Sequence, residues 1–418
     1  MRRVGVLYME TGTSQGGSFE SLFQTLRVLD RRSYDPIVVY LNPNRFTDEL
    51  NRMGIWNYVL FDPVYSRQKG SVIPRILSKG SQLAGAYGGR VSILYEFLTH
   101  FSTIVQIGRV VNRHAVRILH ANDQINRDFF CLFVCAFKGI RCISHIRSPD
   151  TRGFNKWKAG YANARVWRYV SYSEERRDVW IKAGLESTKC SVVCNGIDTT
   201  EEVRARNISQ AYGLPRGGPV IGSVGTVIPE RGYDFLVKAF KLLLEEKPDC
   251  TLLIVGGGTK KNLARLSDLI RSLNLHDQVL LPGPTPDGKG TIAALDVLVL
   301  PYRNEPFGRT LLEAWLVGTP VIATDFGGIG KVIRRGENGL LVSYGDVAGL
   351  KSAILSILDD RALRERFREE GRRTVRQGFD IRKTVGQIEA LYRECMDLAA
   401  TDGSRSRKSF VRDRVGQS

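Results

Sequence analysis

Residues 294–323 read A-L-D-V-L-V-L-P-Y-R-N-E-P-F-G-R-T-L-L-E-A-W-L-V-G-T-P-V-I-A. Val297–Leu300 and Pro320–Ala323 are short apolar runs, the pattern of strands buried on both faces of a parallel sheet. The stretch that Glu305 opens reads as the helix between them. Pro306 suits a first helical turn, where its missing N–H would be unpaired anyway. Gly308 has no side chain, so a ligand can approach the backbone. Glu305 and Glu313 stand eight positions apart, a little over two turns, and can share one helix face. These features aim a helix N-terminus at an anion and place carboxylates to accept hydroxyl hydrogen bonds, so phosphate and sugar hydroxyls match them. The plainer reading of the same residues is a strand-to-helix junction with solvated glutamates.

The alternation extends outward from this unit in both directions. Val220–Val224, Thr251–Val255, Val279–Leu281 and Gly339–Val342 read as further strands, with helices at 233–246, 260–273, 346–377 and 381–400. Upstream, Val4–Tyr8, Pro36–Leu41, Arg117–His120, Cys142–Ile146, Tyr169–Ser173 and Ser191–Cys194 read as strands. Helical spacing covers 18–30, 128–137 and the stretch through Ala183. Leu214–Pro219 (L-P-R-G-G-P) reads as a linker between two blocks. Strand–helix alternation on both sides of a linker predicts an α/β chain of two doubly wound, Rossmann-like domains facing a cleft. The bounds read as 1–198 and 199–380, with a helix at 381–400 returning to the first domain and a basic, disordered tail at 401–418.

The chain has 418 residues, enough for two domains with separate cores. No run of about 18 apolar residues is present, so no membrane-spanning helix is expected, and the apolar run after Arg2-Arg3 is too short for a secretory signal. The seven cysteines are scattered, never spaced C-x-x-C, and read as reduced and mostly buried. Cys131 and Cys135 can share a helix face, but nothing completes a zinc set. A cytoplasmic setting follows. The net charge of +18 is uneven: residues 1–200 hold 28 Lys and Arg against 16 Asp and Glu. Between Pro63 and Asn122 there are eight bases and one acid, Glu96, which suits an anionic partner.

Several motifs together resemble the family-4 glycosyltransferases, which have the GT-B architecture. They are Gly16-Gly17 after the first strand, V-V-C-N-G-I-D (192–198), S-V-G-T-V-I-P-E-R-G-Y-D (223–234), L-L-I-V-G-G-G (252–258), A-L-D-V-L-V-L-P (294–301), E-P-F-G-R-T-L-L-E-A (305–314), G-T-P-V-I-A-T (318–324) and E-N-G-L-L-V (337–342). Each is weak alone; their order and spacing carry the likeness, over roughly residues 1–400. The resemblance implies a retaining, metal-independent sugar transfer from a nucleotide-diphospho-sugar to a glycan or lipid-linked acceptor, with no cofactor. The absence of any D-x-D triplet agrees with a metal-free mechanism.

The resemblance also implies roles. Glu313 would receive the nucleotide ribose hydroxyls, and Glu305 a hydroxyl of the donor sugar. Backbone N–H groups at Phe307, Gly308 and Arg309 would meet sugar and phosphate oxygens. Arg231 stands where the family usually has a lysine on the diphosphate, and a guanidinium holds phosphate bidentately. Thr226 stands where an arginine is usual, so one cation is absent there; Lys331, at an often acidic place, is a candidate to supply it. Gly16 and Gly17 would bring backbone N–H groups to a phosphate or acceptor. His145, at a strand end, would bind a sugar hydroxyl or orient the acceptor, with Arg147 beside it. His145 also reads as a satisfied core histidine, Thr226 as a turn hydroxyl and Asn195 as a tight turn; His114 and His120 read as structural.

In the basic stretch 64–117, Arg67, Lys69, Arg75, Lys79 and Arg90 alternate with apolar residues. This pattern suits an anionic membrane surface, placing the protein peripherally on the inner face, or else a solvated domain face. A nucleic-acid partner is not expected, because no aromatic-interleaved basic motif accompanies the charge. A non-catalytic nucleotide-sugar or glycan-binding relative is the alternative reading, supported by Thr226.

Overall fold

The computed structural model describes residues 3–11, 17–42, 46–65, 90–148, 150–214, 217–303 and 308–397. They fall into two compact units: Met1–Asn195 with the segment from Ile381, and Gly196–Asp380.

The first unit holds seven parallel strands: β1 (Val4–Glu10), β2 (Tyr34–Tyr40), β3 (Trp56–Val59), β4 (Val116–Ala121), β5 (Arg141–Ile146), β6 (Val166–Ser171) and β7 (Cys190–Val192), in the order β3-β2-β1-β4-β5-β6-β7. Side chains alternate between faces, so Leu7, Met9 and Leu119 enter one core while Val6, Tyr8, Ile118 and Ile143 enter the other. The helix Gly17–Val28 and the helix at 381–397 bring apolar residues to this second core. Ile381, Val385, Ile388, Tyr392 and Cys395 recur at helical spacing. Each such buried side chain contributes about 1.5–3 kcal/mol, which ties the C-terminal helix firmly to the first unit.

The second unit has six parallel strands: β8 (Val220–Val224), β9 (Thr251–Val255), β10 (Val279–Gly283), β11 (Val297–Leu300), β12 (Val321–Thr324) and β13 (Leu340–Val342), ordered β10-β9-β8-β11-β12-β13. The helix Arg309–Val317 buries Trp315, whose indole N–H donates to the Asn338 carbonyl at 3.0 Å. The helix Arg361–Gly378 passes so close that a Cβ on Gly371 would meet the Trp315 ring at 2.5 Å. Both faces of each sheet are covered, as the doubly wound reading requires.

In each sheet the strand order reverses once, between β1 and β4 and between β8 and β11. Loops diverge from such a point and leave a crevice at the carboxyl ends of the strands.

Three details differ from the sequence reading. Leu214–Pro219 lies inside the second unit, where Ile208 and Leu214 join the core, so it is not a linker. The stretch 346–377 is two helices, Val347–Asp359 and Arg361–Gly378. Asp360 separates them and its carboxylate caps the second by accepting from the Leu363 N–H at 2.9 Å. Within the stretch 64–117 the described residues include two helices that the sequence reading did not separate: Arg90–Thr99, which leaves Val91, Leu94 and Leu98 exposed, and Phe101–Arg113, which buries Ile104, Ile107, Val110 and Val111.

Candidate active site

In the second unit the loop after β8 folds back as a short turn, Pro229–Arg231, that ends on Gly232. Gly232 has φ of 62°, and a Cβ there would stand 1.9 Å from the Pro301 carbonyl oxygen. Only glycine allows that approach, which pins the β8 loop to the end of β11. Arg231 is thereby held at the switch point. Its Nη1 donates to the Tyr302 hydroxyl at 2.5 Å, and its guanidinium carbon lies 4.5 Å from the Tyr302 ring centroid. Tyr302 is itself buried, and its carbonyl accepts from the Thr324 hydroxyl at the end of β12. Gly225 completes the seat, since a Cβ there would come within 2.7 Å of Arg231 Nη1. Three strand ends thus converge on one guanidinium.

Gly308 caps the helix Arg309–Val317. Glu313, one turn in, pairs with Arg309 across 3.6 Å, and both side chains are mostly buried. A carboxylate held there keeps acceptor capacity for hydroxyl hydrogens. Thr226 is exposed on the β8 loop, and Lys331 is exposed on the short helix Gly327–Val332 after β12. Glu305 and Phe307 lie outside the described residues. A cavity of about 200 Å³ lined by Val227, Ile228, Pro229, Tyr233, Arg265 and Leu269 adjoins the Pro229–Arg231 turn, but neither Arg231 nor Glu313 lines it. It is smaller than an ordinary ligand site.

At the switch point of the first unit, sequence reasoning missed most of the polar groups. Glu10, at the end of β1, is fully buried and accepts from Asn122 Nδ2 at 2.5 Å and from the Ser18 hydroxyl at 3.0 Å. Asp128 accepts from the Thr11 hydroxyl at 2.7 Å and from the backbone N–H groups of Asp123 and Gln124. Burial first, and the charge of Asp123 second, push the Asp128 carboxyl well above the usual carboxylate range, against the opposing pull of its hydrogen bonds from Thr11 and Asp123. Gly17 is exposed where the helix Gly17–Val28 begins; Gly16 lies outside the described residues.

Arg147 turns inward across the strand ends. Its Nε donates to the Asn122 carbonyl at 2.7 Å, Nη2 to Asn122 Oδ1 at 3.0 Å and Nη1 to Asn195 Oδ1 at 3.2 Å. His145 sits at the end of β5, 5% exposed, with Nδ1 2.8 Å from His120 Nε2. His120 Nδ1 lies 2.5 Å from the Tyr392 hydroxyl, which donates to the Tyr8 hydroxyl at 3.0 Å. Burial, reinforced by the Arg147 charge, pulls the His120 pKa down to about 3 and holds His145 well below its ordinary value, so both rings are neutral. His120 is thus bound into the same network as His145, which the sequence did not reveal.

Arg67, Lys69, Arg75 and Lys79 lie outside the described residues. The helix that follows them carries Val91, Leu94 and Leu98 exposed along one face, continued by Phe101, with Phe137 and Trp157 also exposed. A cavity of about 590 Å³ opens there, lined by Ile93, Leu94, Phe97, Phe133 and Phe137. Arg90 and Lys156 stand about 6 Å from the Trp157 ring centroid. Glu96, the single acid of the stretch, is buried against Lys158 at 2.7 Å. Among the described residues no helix is long and apolar enough to cross a membrane.

Two Rossmann-like units, each with one switch point, define the GT-B class of fold. Residues 205–374 match the model of the family described as Glycosyl transferases group 1. The chain is 35% identical over 161 residues to the lipopolysaccharide core biosynthesis glycosyltransferase LpsE of Rhizobium meliloti, covering 38% of this chain and 46% of that one. It is 30% identical over 214 residues to the lipopolysaccharide core biosynthesis mannosyltransferase LpsB of the same organism, covering 49% and 61%. The chain thus spans about half the length of these relatives. Among solved structures, Anabaena HepE in complex with UDP and glucose superposes with a TM-score of 0.76 at 18% identity, over 94% of this chain and 100% of that one. That likeness establishes the fold.

Proposed function

We propose that this protein is a retaining glycosyltransferase that moves a sugar from a nucleotide-diphospho-sugar to a glycan or lipid-linked acceptor without a metal ion. The observation that carries the reading is Arg231, seated by Gly225 and Tyr302 at the β8/β11 switch point. Transfer breaks the bond between the anomeric carbon and the donor's β-phosphate oxygen and forms one to an acceptor oxygen. Negative charge collects on the departing diphosphate, and a guanidinium already in place stabilises it without reorganisation. The acceptor's hydroxyl proton passes to that phosphate. Glu313 holds the nucleotide ribose, Glu305 a donor-sugar hydroxyl, and Lys331 lends charge where Thr226 replaces an arginine. Gly17, His145 and the groups around them serve the acceptor side.

Lipopolysaccharide-assembling relatives support a glycan or lipid-linked acceptor. The apolar face of Val91, Leu94, Leu98 and Phe137, flanked by Arg90 and Lys156 with its one acid sequestered, supports peripheral attachment to an anionic bilayer on the cytoplasmic side.

The test is incubation with a panel of nucleotide-diphospho-sugars and lipopolysaccharide-derived acceptors, in EDTA, following nucleotide release and the anomeric configuration of the product. The proposal expects release and retention with at least one donor. Tight donor binding without turnover across the panel, or turnover only on adding metal, contradicts it.

A further inference from the structure

Tyr8, His120 and His145 lie on one face of the first sheet. Tyr8 pairs with His120 in the β1–β4 register, and His120 pairs with Ile143 in β4–β5, two residues before His145. Strand alternation therefore sets the three rings in a diagonal row. Ring centroids lie 5.3 Å apart from Tyr8 to His120 and 4.7 Å apart from His120 to His145, whose planes are nearly parallel, at 13°. The C-terminal helix covers the row and inserts Tyr392 edge-on to His120, at 5.7 Å and 86°.

The hydrogens along this row have a direction. Tyr392 has one hydroxyl hydrogen, and it goes to Tyr8. The short contact between Tyr392 oxygen and His120 Nδ1 then takes its hydrogen from the imidazole. His120 is neutral, so its Nε2 carries a lone pair, and His145 Nδ1–H fills it at 2.8 Å. His145 is left with a bare Nε2, which has no hydrogen-bond partner among the described residues.

We propose that Tyr392 is a positioning residue which, through His120, locks His145 in its Nδ1–H tautomer, so that the ligand group meeting Nε2 is a hydrogen-bond donor, a hydroxyl and not a phosphate oxygen. The hydroxyl part rests on the glycosyltransferase reading; the tautomer does not. A residue 247 positions downstream of His145 thereby decides which chemistry the histidine offers. The C-terminal helix is part of the site's electronics as well as of the core.

The experiment is ¹⁵N–¹H NMR of the histidine rings in the full-length protein, which has five histidines. Wild type is expected to show His145 protonated on Nδ1 and bare on Nε2 at neutral pH; the opposite assignment overturns the proposal. Tyr392→Phe removes the oxygen that takes the His120 hydrogen. Tyr8→Phe releases the Tyr392 hydrogen to turn toward His120. Either change reverses the row and moves His145 to the Nε2–H form. An unchanged tautomer in whichever variant folds overturns the positioning role. With the switch made, turnover is expected to fall about tenfold, the worth of one hydrogen bond, while donor KM holds. Unchanged turnover overturns the hydroxyl assignment. Absence of any transfer by wild type counts against the enzyme reading and leaves the tautomer result to stand or fall alone.

Discussion

Arg231 lies over the ring of Tyr302 and donates to its hydroxyl at 2.5 Å, so one residue of the β11 loop fixes both the height and the rotation of the guanidinium. Tyr302→Phe keeps the ring beneath the charge but frees its rotation. Steady-state kinetics on this variant should show turnover reduced roughly three- to tenfold, with a melting temperature within a few degrees of wild type. A larger fall in stability than in turnover would mark the pair as structural.

Glu313 keeps company with Arg309 at 3.6 Å, a spacing that leaves carboxylate lone pairs for ribose hydroxyls. Glu313→Gln keeps the shape and removes the charge. Donor KM should rise about tenfold, the worth of a charge-assisted hydrogen bond, with a smaller change in turnover. A 2′,3′-dideoxy donor should lose affinity in wild type and lose little more in the variant. If the deoxygenated donor binds wild type equally well, Glu313 does not hold the ribose.

His120 gives the first unit a pH-dependent stability. Its pKa is about 3 when folded and ordinarily 6.5. Between those values the unfolded chain binds a proton that the folded chain refuses, so stability falls as pH drops from about 6.5, by about 1.4 kcal/mol per pH unit. Asp128, raised by burial, works with the opposite sign, so the informative quantity is the difference between variants. Thermal melts of His120→Gln against wild type from pH 7 to pH 4 should converge as pH falls. Parallel curves would show that the histidine is protonated when folded.

Leu94 and Phe137 are exposed beside a 590 Å³ apolar hollow, with Arg90 and Lys156 nearby. Flotation with vesicles containing phosphatidylglycerol should capture the wild type, and Leu94→Ser with Phe137→Ser should weaken capture by about an order of magnitude. Arg90→Glu with Lys156→Glu should remove the preference over neutral phosphatidylcholine vesicles. Equal capture by both vesicle types in wild type would contradict an anionic partner.

The strands Val220–Val224, Thr251–Val255 and Val297–Leu300 were legible to the residue: Leu252–Val255 and Val297–Leu300 are continuous buried apolar runs, and Val220–Val224 keeps apolar residues on either side of Gly222 and Ser223. β3 was not: Trp56–Val59 is an edge strand, half exposed, with no alternation to betray it. The helix Phe101–Arg113 carried a clear signal in Ile104, Ile107 and Val111, but the abundance of bases around it drew the reading toward a surface segment. Motifs marked Arg231, Glu313 and His145 as candidates, and the structure places Arg231 in the turn after β8, Glu313 in the helix after β11 and His145 in β5. Glu10, Asn122 and Asp128 were not legible, since their bonds join residues more than 100 positions apart and depend on strand order. Tyr392 was hidden for the same reason. Its partner His120 is 272 positions away, and helical spacing shows only that it faces a core.

Calorimetric titration of nucleosides and their diphosphates into wild type and Arg231→Ala measures what the guanidinium contributes to diphosphate binding. Wild type is expected to bind its preferred nucleoside diphosphate at least about 100-fold more tightly than the bare nucleoside, and Arg231→Ala to lose most of this margin while the nucleoside binds as before. A diphosphate margin that survives intact in Arg231→Ala would contradict the role proposed for Arg231.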